Sequence, residues 1–478
     1  MTAQAVRRPW AALSALCIGA FMTMLDATVV TVAMPTMIAD LHASLNQAIW
    51  VIGGYTLTFA VPLLLTSRLG DRLGRRAMFA AGLIVFTAAS LVCAAAETVE
   101  VLIAARVVQG LGAAMMTPQQ MALIADLFPS QRRGIAFGVW GAVVGCATVT
   151  GPIFGGLMVL WAGWRSIFLV NVPVGIMALV LTGVFVPGGR SRAEQRFNLS
   201  GAMLCGLGLF LIVFGVQNGQ QYEWGAVAGP ITIQGLIGSG SVLLVVFLYT
   251  QRLNREPLLD LSLFRYRTFS AASTANVALG FTLAAVFVPL IIYLQTVRGL
   301  SPSDSGLATM PMAVTSVLLG PLAGRLSDRF GGKLVAVTGF VMSACGLAVV
   351  TAQMRSDTDP WIFAPGLVAM GAGVACLFAS LASEATRVVP TSLVGAASGV
   401  FNTARQVGAV LGTAGMGALL QARVATATWP DLEHGLTKAV RETLMLPIGV
   451  LAAGALVCAF MENSVRLKRH DTRQSVES

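Results

Sequence analysis

Charge is scarce in this sequence: aspartate, glutamate, lysine and arginine make up 11% of 478 residues, well under the share usual in soluble domains. A soluble globular fold is thereby excluded. The three histidines form no cluster, and the seven cysteines (Cys17, Cys93, Cys146, Cys205, Cys345, Cys376, Cys458) fall inside apolar runs without metal-ligand spacing. Neither zinc nor a disulfide framework fits that pattern. No glycine loop ends in Lys-Ser or Lys-Thr, which speaks against ATP as an energy source. Asp357-Thr358-Asp359 has the form of the Asp-x-Asp of sugar-nucleotide enzymes, yet it stands in a short loop with no nucleotide fold around it. No loop is long enough for a catalytic domain, and the short alternating strands of a β-barrel are missing. The expectation is a protein that is not an enzyme and needs no cofactor.

What is present is apolar sequence, 56% hydrophobic residues with a mean hydropathy of +0.78. Runs of about 20 residues match the thickness of a bilayer's hydrocarbon, where backbone groups must bond among themselves, so each reads as a helix. About fourteen such spans are expected, near 11–34, 48–66, 78–96, 99–127, 135–159, 166–186, 199–217, 230–250, 269–294, 304–323, 334–353, 361–385, 396–420 and 444–462. Arg7-Arg8 precedes the first run as in a leader peptide, but the run continues to Pro35 without a small-residue cleavage site and reads as an uncleaved span.

The net charge of +10 sits in short loops between spans rather than along one soluble face, which argues for membrane sorting and against nucleic acid. Alternate loops collect Arg7-Arg8, Arg72-Arg75-Arg76, Arg132-Arg133, Arg190-Arg192-Arg196, Arg252-Arg255-Arg265-Arg267, Arg325-Arg329-Lys333 and Arg466-Lys468-Arg469. That side is expected to be the cytoplasm. Both termini then lie inside, in a multi-pass protein of the plasma membrane.

Two charged turns organise the chain. Leu69-Gly70-Asp71-Arg72-Leu73-Gly74-Arg75-Arg76 separates two apolar runs, and Leu326-Ser327-Asp328-Arg329-Phe330-Gly331-Gly332-Lys333 does so again roughly 257 residues later. Pro129, Gly134, Gly138 and Val139 likewise line up with Pro390, Gly395, Gly399 and Val400 at an offset of about 261, with Asp126 and Glu384 before the prolines. The offset exceeds what six spans need. The expected architecture is therefore all-α: a six-helix bundle over 1–190, two inserted helices over 191–266 and a second six-helix bundle with its tail over 267–478.

Five motifs in order make the chain similar to the fourteen-span drug:proton antiporter branch of the major facilitator superfamily. The first charged turn resembles the superfamily's GxLaDrxGrk, with Ser67 in place of the first glycine, which the second copy keeps as Gly324. Arg106-Val107-Val108-Gln109-Gly110 is similar to RxxqG. Gly138 and Gly151-Pro152-Ile153-Phe154-Gly155-Gly156 are similar to the antiporter motif ending GPxxGG, with Ala147 where another glycine is usual. Leu25-Asp26-Ala27-Thr28-Val29-Val30-Thr31-Val32-Ala33-Met34-Pro35 is similar to LDxTvvNvAlP, with Thr31 replacing the asparagine, and Trp164-Arg165 through Asn171-Val172-Pro173 completes the match.

The resemblance implies a monomeric exporter with the major facilitator fold, releasing a small lipophilic or cationic drug or metabolite while protons enter. A carboxylate inside a span is a functional candidate by default, and helix rise places Asp26 and Arg106 at one depth, about 12 and 10 Å from the same surface. They are the candidates for proton coupling, or else a static pair. Gly138, Gly151, Pro152, Gly155 and Gly156 suit a sliding helix surface or ordinary small-residue packing. By resemblance Asp71 approaches the start of span thirteen near Ala396 and Asp328 that of span five near Ile135, as a latch. Arg75 or Arg76 would then meet Asp126, and Lys333 would meet Glu384. Trp50, Tyr55, Trp140, Tyr293 and Phe401 are candidates for a cavity wall or for plain packing. Arg405 is open to two readings, an anion or carbonyl site, or a side chain that snorkels to the cytoplasm. An uptake symporter or facilitator of the same fold is the first rival, disfavoured by the Gly-Pro motif. A membrane-embedded enzyme or sensor is the second.

Overall fold

The computed structural model describes residues 8–43, 45–129, 132–188, 199–219, 222–254, 261–300, 302–390, 393–424 and 432–462. The turn around Arg190-Arg192-Arg196, and with it the expected boundary at 190/191, lies outside the described residues, as do Arg255 and the C-terminal basic run.

The chain is built from helices: α1 (Pro9–Asp40), α2 (Leu45–Ala60), α3 (Leu63–Leu73), α4 (Arg75–Ala94), α5 (Val99–Leu127), α6 (Arg133–Ala162), α7 (Ser166–Leu169), α8 (Asn171–Phe185), α9 (Leu199–Asn218), α10 (Ile233–Leu253), α11 (Arg267–Ile292), α12 (Pro302–Phe330), α13 (Gly332–Gln353), α14 (Ala364–Arg387), α15 (Val394–Val424) and α16 (Leu432–Ala459). Ten helical stretches among the described residues are long and apolar enough to cross a membrane, and α2 with α3 makes an eleventh. Large apolar side chains point outward, among them Leu160, Trp161, Val184, Leu318 and Leu456. In a lipid environment such side chains bear no penalty.

Prolines set the breaks. Pro62, without an N–H and clashing with the preceding turn, divides the expected span 48–66 into α2 and α3, bent by 49°. Pro173 cannot donate to the carbonyl of Leu169, and the chain steps there from α7 to α8. After Pro289, α11 widens into one π turn over Tyr293–Val297, closed by Arg298 N–H to the Tyr293 carbonyl at 3.1 Å.

The all-helical expectation has one local exception. Ala226–Ala228 (β1) pairs antiparallel with Ile231–Thr232 (β2) across a turn at Gly229-Pro230. Helix α10 therefore begins at Ile233, later than the expected 230, with the Thr232 hydroxyl accepting from Gly235 N–H at 3.0 Å as its cap.

Contacts divide the chain into two units. The first comprises Met1–Leu127, Ala147–Leu261 and Ser392–Thr403, the second Phe128–Cys146, Ser262–Thr391 and Ala404–Ser478. In the first, α5 packs on α4 and α2, α8 on α1 and α4, and α9 on α10. In the second, α14 packs on α12 and α13, and α16 on α11 and α13. Both charged turns have one backbone form: Gly74 (φ 99) and Gly331 (φ 91) end α3 and α12 in the left-handed region that favours glycine. Each donates its N–H four residues back at 3.0 Å, to Gly70 and to Ser327.

Candidate functional site

Asp26 on α1 is 3% exposed and Arg106 on α5 is 1% exposed. Either charge alone would be very costly in an apolar interior. The structure brings them together, with Arg106 Nη1 donating to Asp26 Oδ2.

Two carboxamides complete the surroundings of that carboxylate. Gln109, one turn beyond Arg106 on the same helix face, accepts from Arg106 Nη1 at 2.6 Å and donates through Nε2 to Asp26 Oδ1 at 2.9 Å. Asn171, the first residue of α8, donates through Nδ2 to the same oxygen at 2.9 Å. Behind both, Ser90 Oγ on α4 receives Gln109 Nε2 at 2.6 Å and Asn171 Nδ2 at 3.3 Å. The guanidinium also donates through Nε to the Val51 carbonyl at 3.2 Å and lies 4.2 Å from the centre of the Tyr55 ring. An arginine only donates, so both amide orientations follow from their partners.

Every polar neighbour of Asp26 thus offers it a hydrogen. One turn away along α1 and α5 lies a narrow apolar cleft lined by Val30, Met37, Val51 and Leu102 among others. At the end of α1 beyond it, Asp40 accepts from Trp164 Nε1 at 2.8 Å and Arg165 Nη1 at 2.6 Å. Those two hydrogen bonds, Trp164's first, hold its carboxyl below the usual carboxylate range.

The first charged turn keeps its ions within the first unit. Arg75 donates to Asp71 Oδ1 through Nε at 3.1 Å and Nη2 at 3.0 Å, and through Nη1 to Asp126 Oδ2 at 2.6 Å. Arg76 instead donates to the Gly183 carbonyl at 2.8 Å, so of the two arginines Arg75 is the one that meets Asp126. Asp71 lies against the backbone of Gly395, one residue before the expected Ala396, and a methyl group on Gly395 would strike its carboxylate.

In the second unit Asp328 caps the start of α6, accepting from Gly134 N–H at 3.0 Å and Ile135 N–H at 3.1 Å, at the expected place. The expected pair of Lys333 with Glu384 does not form. Arg387, one turn beyond Glu384 on α14, takes that position, donating to Glu384 Oε1 at 2.9 Å and lying 3.4 Å from Asp328 Oδ1. Glu384 also accepts from Gly332 N–H at 3.0 Å, so the backbone beside Lys333 meets the glutamate and the lysine side chain does not.

Close approach explains the glycines of α6. A methyl group on Gly138 would strike the Gly320 carbonyl, one on Gly151 the Thr28 side chain and one on Gly155 that of Val29. Phe154 between them is exposed and Gly156 half-buried, while the side chain of Pro152 lies outside the described residues.

The aromatic candidates pack. Trp50 meets Phe214 of α9 at a centroid distance of 5.5 Å. Tyr55 lies under Arg106 and donates to the Thr23 carbonyl at 3.2 Å. Trp140 meets Phe378 edge-on at 6.3 Å, Tyr293 meets Phe363 at 5.8 Å, and Phe401 is buried. Arg405 is half-buried on α15, with no hydrogen-bond or ion-pair partner among the described residues.

Residues 16–413 and 270–474 match the model of the Major Facilitator Superfamily. The chain belongs to that superfamily. It is 40% identical over 420 residues to an uncharacterized MFS-type transporter of Mycobacterium tuberculosis, covering 88% of this chain and 72% of the relative. It is 33% identical over 425 residues to the tetracenomycin C resistance and export protein of Streptomyces glaucescens, 89% and 78% of the two chains. The methylenomycin A resistance protein of Streptomyces coelicolor is 34% identical over 431 residues, 88% and 87%. The crystal structure of the human organic anion transporter MFSD10 (TETRAN) shares the fold with a TM-score of 0.63 at 13% identity, over 93% of this chain and 99% of that one. This is a membrane transporter of the drug-efflux branch and not an enzyme.

For this member of the superfamily, three neighbours of Asp26 carried uneven sequence signals. Gln109 stands in the Arg-x-x-Gln spacing and Asn171 in the Trp164-to-Pro173 motif, whereas Ser90 sits in an ordinary apolar run. Arg387 was visible three residues beyond Glu384, on one helix face.

Proposed function

We propose that the protein exports small lipophilic organic compounds across the plasma membrane in exchange for protons, as a monomer working by alternating access. The observation that carries this reading is the buried Asp26–Arg106 pair, a titratable carboxylate in the interior of a span ringed by donors that a change of state can withdraw. The electrical gradient contributes about 2.3 kcal/mol per charge per 100 mV, enough for a tens-fold substrate gradient. A cationic substrate bound at Asp26 would have to displace Arg106, which favours substrates that bind elsewhere. Relatives named for resistance and export support the outward direction over uptake.

The proposed topology has fourteen spans with both termini cytoplasmic. It counts α2 with α3 and α7 with α8 as one span each, and adds α6, α9 and α15 to the strongly apolar stretches. Residues 1–190 and 267–478 are the two six-helix bundles and 191–266 the inserted pair. Asp71 with Arg75 and Asp126, and Asp328 with Arg387 and Glu384, serve as latches between transport states. The glycines of α6 supply its sliding surface.

Everted vesicles test the coupling: substrate addition should release protons from wild type, and Asp26→Asn should abolish both this release and gradient-driven uptake. Normal coupling in the variant would reduce Asp26 to Arg106's structural partner.

A further inference from the structure

Arg106, fully buried on α5, is matched by Asp26. Arg405 is different. It lies ten residues beyond Gly395 on α15, about 15 Å along the axis, too far for its head to reach that end of the helix by stretching. Its backbone is fixed: a methyl group on Gly280 would strike the Arg405 carbonyl, and α11 continues along α15 past Gly408 and Gly412 at similarly close range. The backbone of Arg405 thus holds a defined place in the second unit, and its side chain is half-buried with no carboxylate among the described residues to balance it.

A cation within a span that has no counter-charge attracts an anion, and a guanidinium favours planar oxyanions, which accept two parallel N–H bonds. We propose that Arg405 is the substrate's anion site, taking a carboxylate, sulfonate or phenolate oxygen on an otherwise apolar compound. This rests on the exporter reading and gives it a substrate class. Asp26 is not placed to serve a cation as Arg405 serves an anion, since it already has Arg106 as its cation and accepts from Gln109 and Asn171. A lipid headgroup would offer the same oxyanion, and its normal place at the membrane surface is what separates the two sources.

Two planar dyes of one shape and opposite charge make the test: fluorescein, an anion, and rhodamine 6G, a cation, titrated by fluorescence anisotropy into the full-length protein in phosphatidylcholine vesicles without a gradient. Fluorescein should bind wild type, Arg405→Gln should weaken it about tenfold or more, and Arg405→Lys, which keeps the charge, should restore much of the loss. Rhodamine binding should not fall in Arg405→Gln, which also shows that the variant is folded. The proposal is overturned if fluorescein does not bind, if it binds wild type and Arg405→Gln alike, or if both dyes are lost together. Competition from added phosphatidylglycerol would assign the site to a headgroup and overturn the substrate assignment. Gradient-driven dye accumulation in everted vesicles is the separate measure of export. Fluorescein binding without accumulation removes the exporter reading and keeps the site, whereas rhodamine accumulation without fluorescein binding does the reverse.

Discussion

The two charged turns share a backbone and differ in where their cation comes from. Gly74 and Gly331 make the same left-handed corner, and Asp71 and Asp328 stand three residues before it in each copy. In the first turn the cation, Arg75, follows the corner directly and bridges two carboxylates. In the second it comes from another helix, as Arg387 of α14, and the basic residue nearest the corner, Lys333, takes no part. The repeat therefore preserves the place of the carboxylate beside a helix start, with backbone N–H bonds to it at Asp328, and draws the counter-charge from different helices.

Exposure ranks the two clusters. The side chain of Glu384 is 1% exposed and that of Asp126 is 46% exposed. Removing Arg387 takes the cation from the buried Glu384, a change that typically costs about 3–5 kcal/mol, whereas Arg75 has one partner open to solvent, where a pair is worth about 1 kcal/mol or less. The largest expected effect is thus a lower apparent melting temperature for Arg387→Ala than for Arg75→Ala in detergent. Equal losses would break the distinction between the clusters.

A smaller effect is expected from the carboxylates themselves. In Asp328→Asn one oxygen becomes an NH₂ that would face a backbone donor, so one of the two bonds to Gly134 and Ile135 is lost. Asp71→Asn keeps an oxygen for Arg75. Both variants should slow vesicle transport with little change in substrate affinity, Asp328→Asn the more, because a latch biases states without touching substrate. Loss of binding at normal turnover would sink the latch in either unit.

Much of this was legible beforehand, for identifiable reasons. Asp26 and Arg106 share a depth because helix rise is constant, and a carboxylate among apolar residues stands out. Ser90 gave no such signal, since a serine in a span bonds its own helix as readily as a neighbour. Pro62 was visible in the second apolar run, but its 49° bend depends on packing as well as on the missing donor. The short β pair before α10 escaped because five residues around Gly229-Pro230 carry no period. The aromatic residues were ambiguous for a physical reason: a ring on a helix buries against a neighbour or a substrate by the same contacts.

Lys333 is the most instructive departure from expectation, because the repeat is not symmetric in charge. Residues related by a fixed offset share a backbone place, but a side-chain pair also needs reach and direction, and Gly332 N–H already occupies Glu384 Oε1 at 3.0 Å, as does Arg387 at 2.9 Å. Glu384 Oε1 thus has its two donors without the lysine. Lys333 is half-buried with its head unengaged by the described residues, so Lys333→Ala should change stability by no more than about 0.5 kcal/mol, the range of ordinary surface changes. A double-mutant cycle of Lys333→Ala with Glu384→Gln is the sharper measure. Additive losses in apparent melting temperature are expected from it, while the corresponding cycle with Arg387→Ala should show strong coupling. Coupling of Lys333 to Glu384 as large as that of Arg387 would restore the symmetric pairing and remove the difference between the two turns.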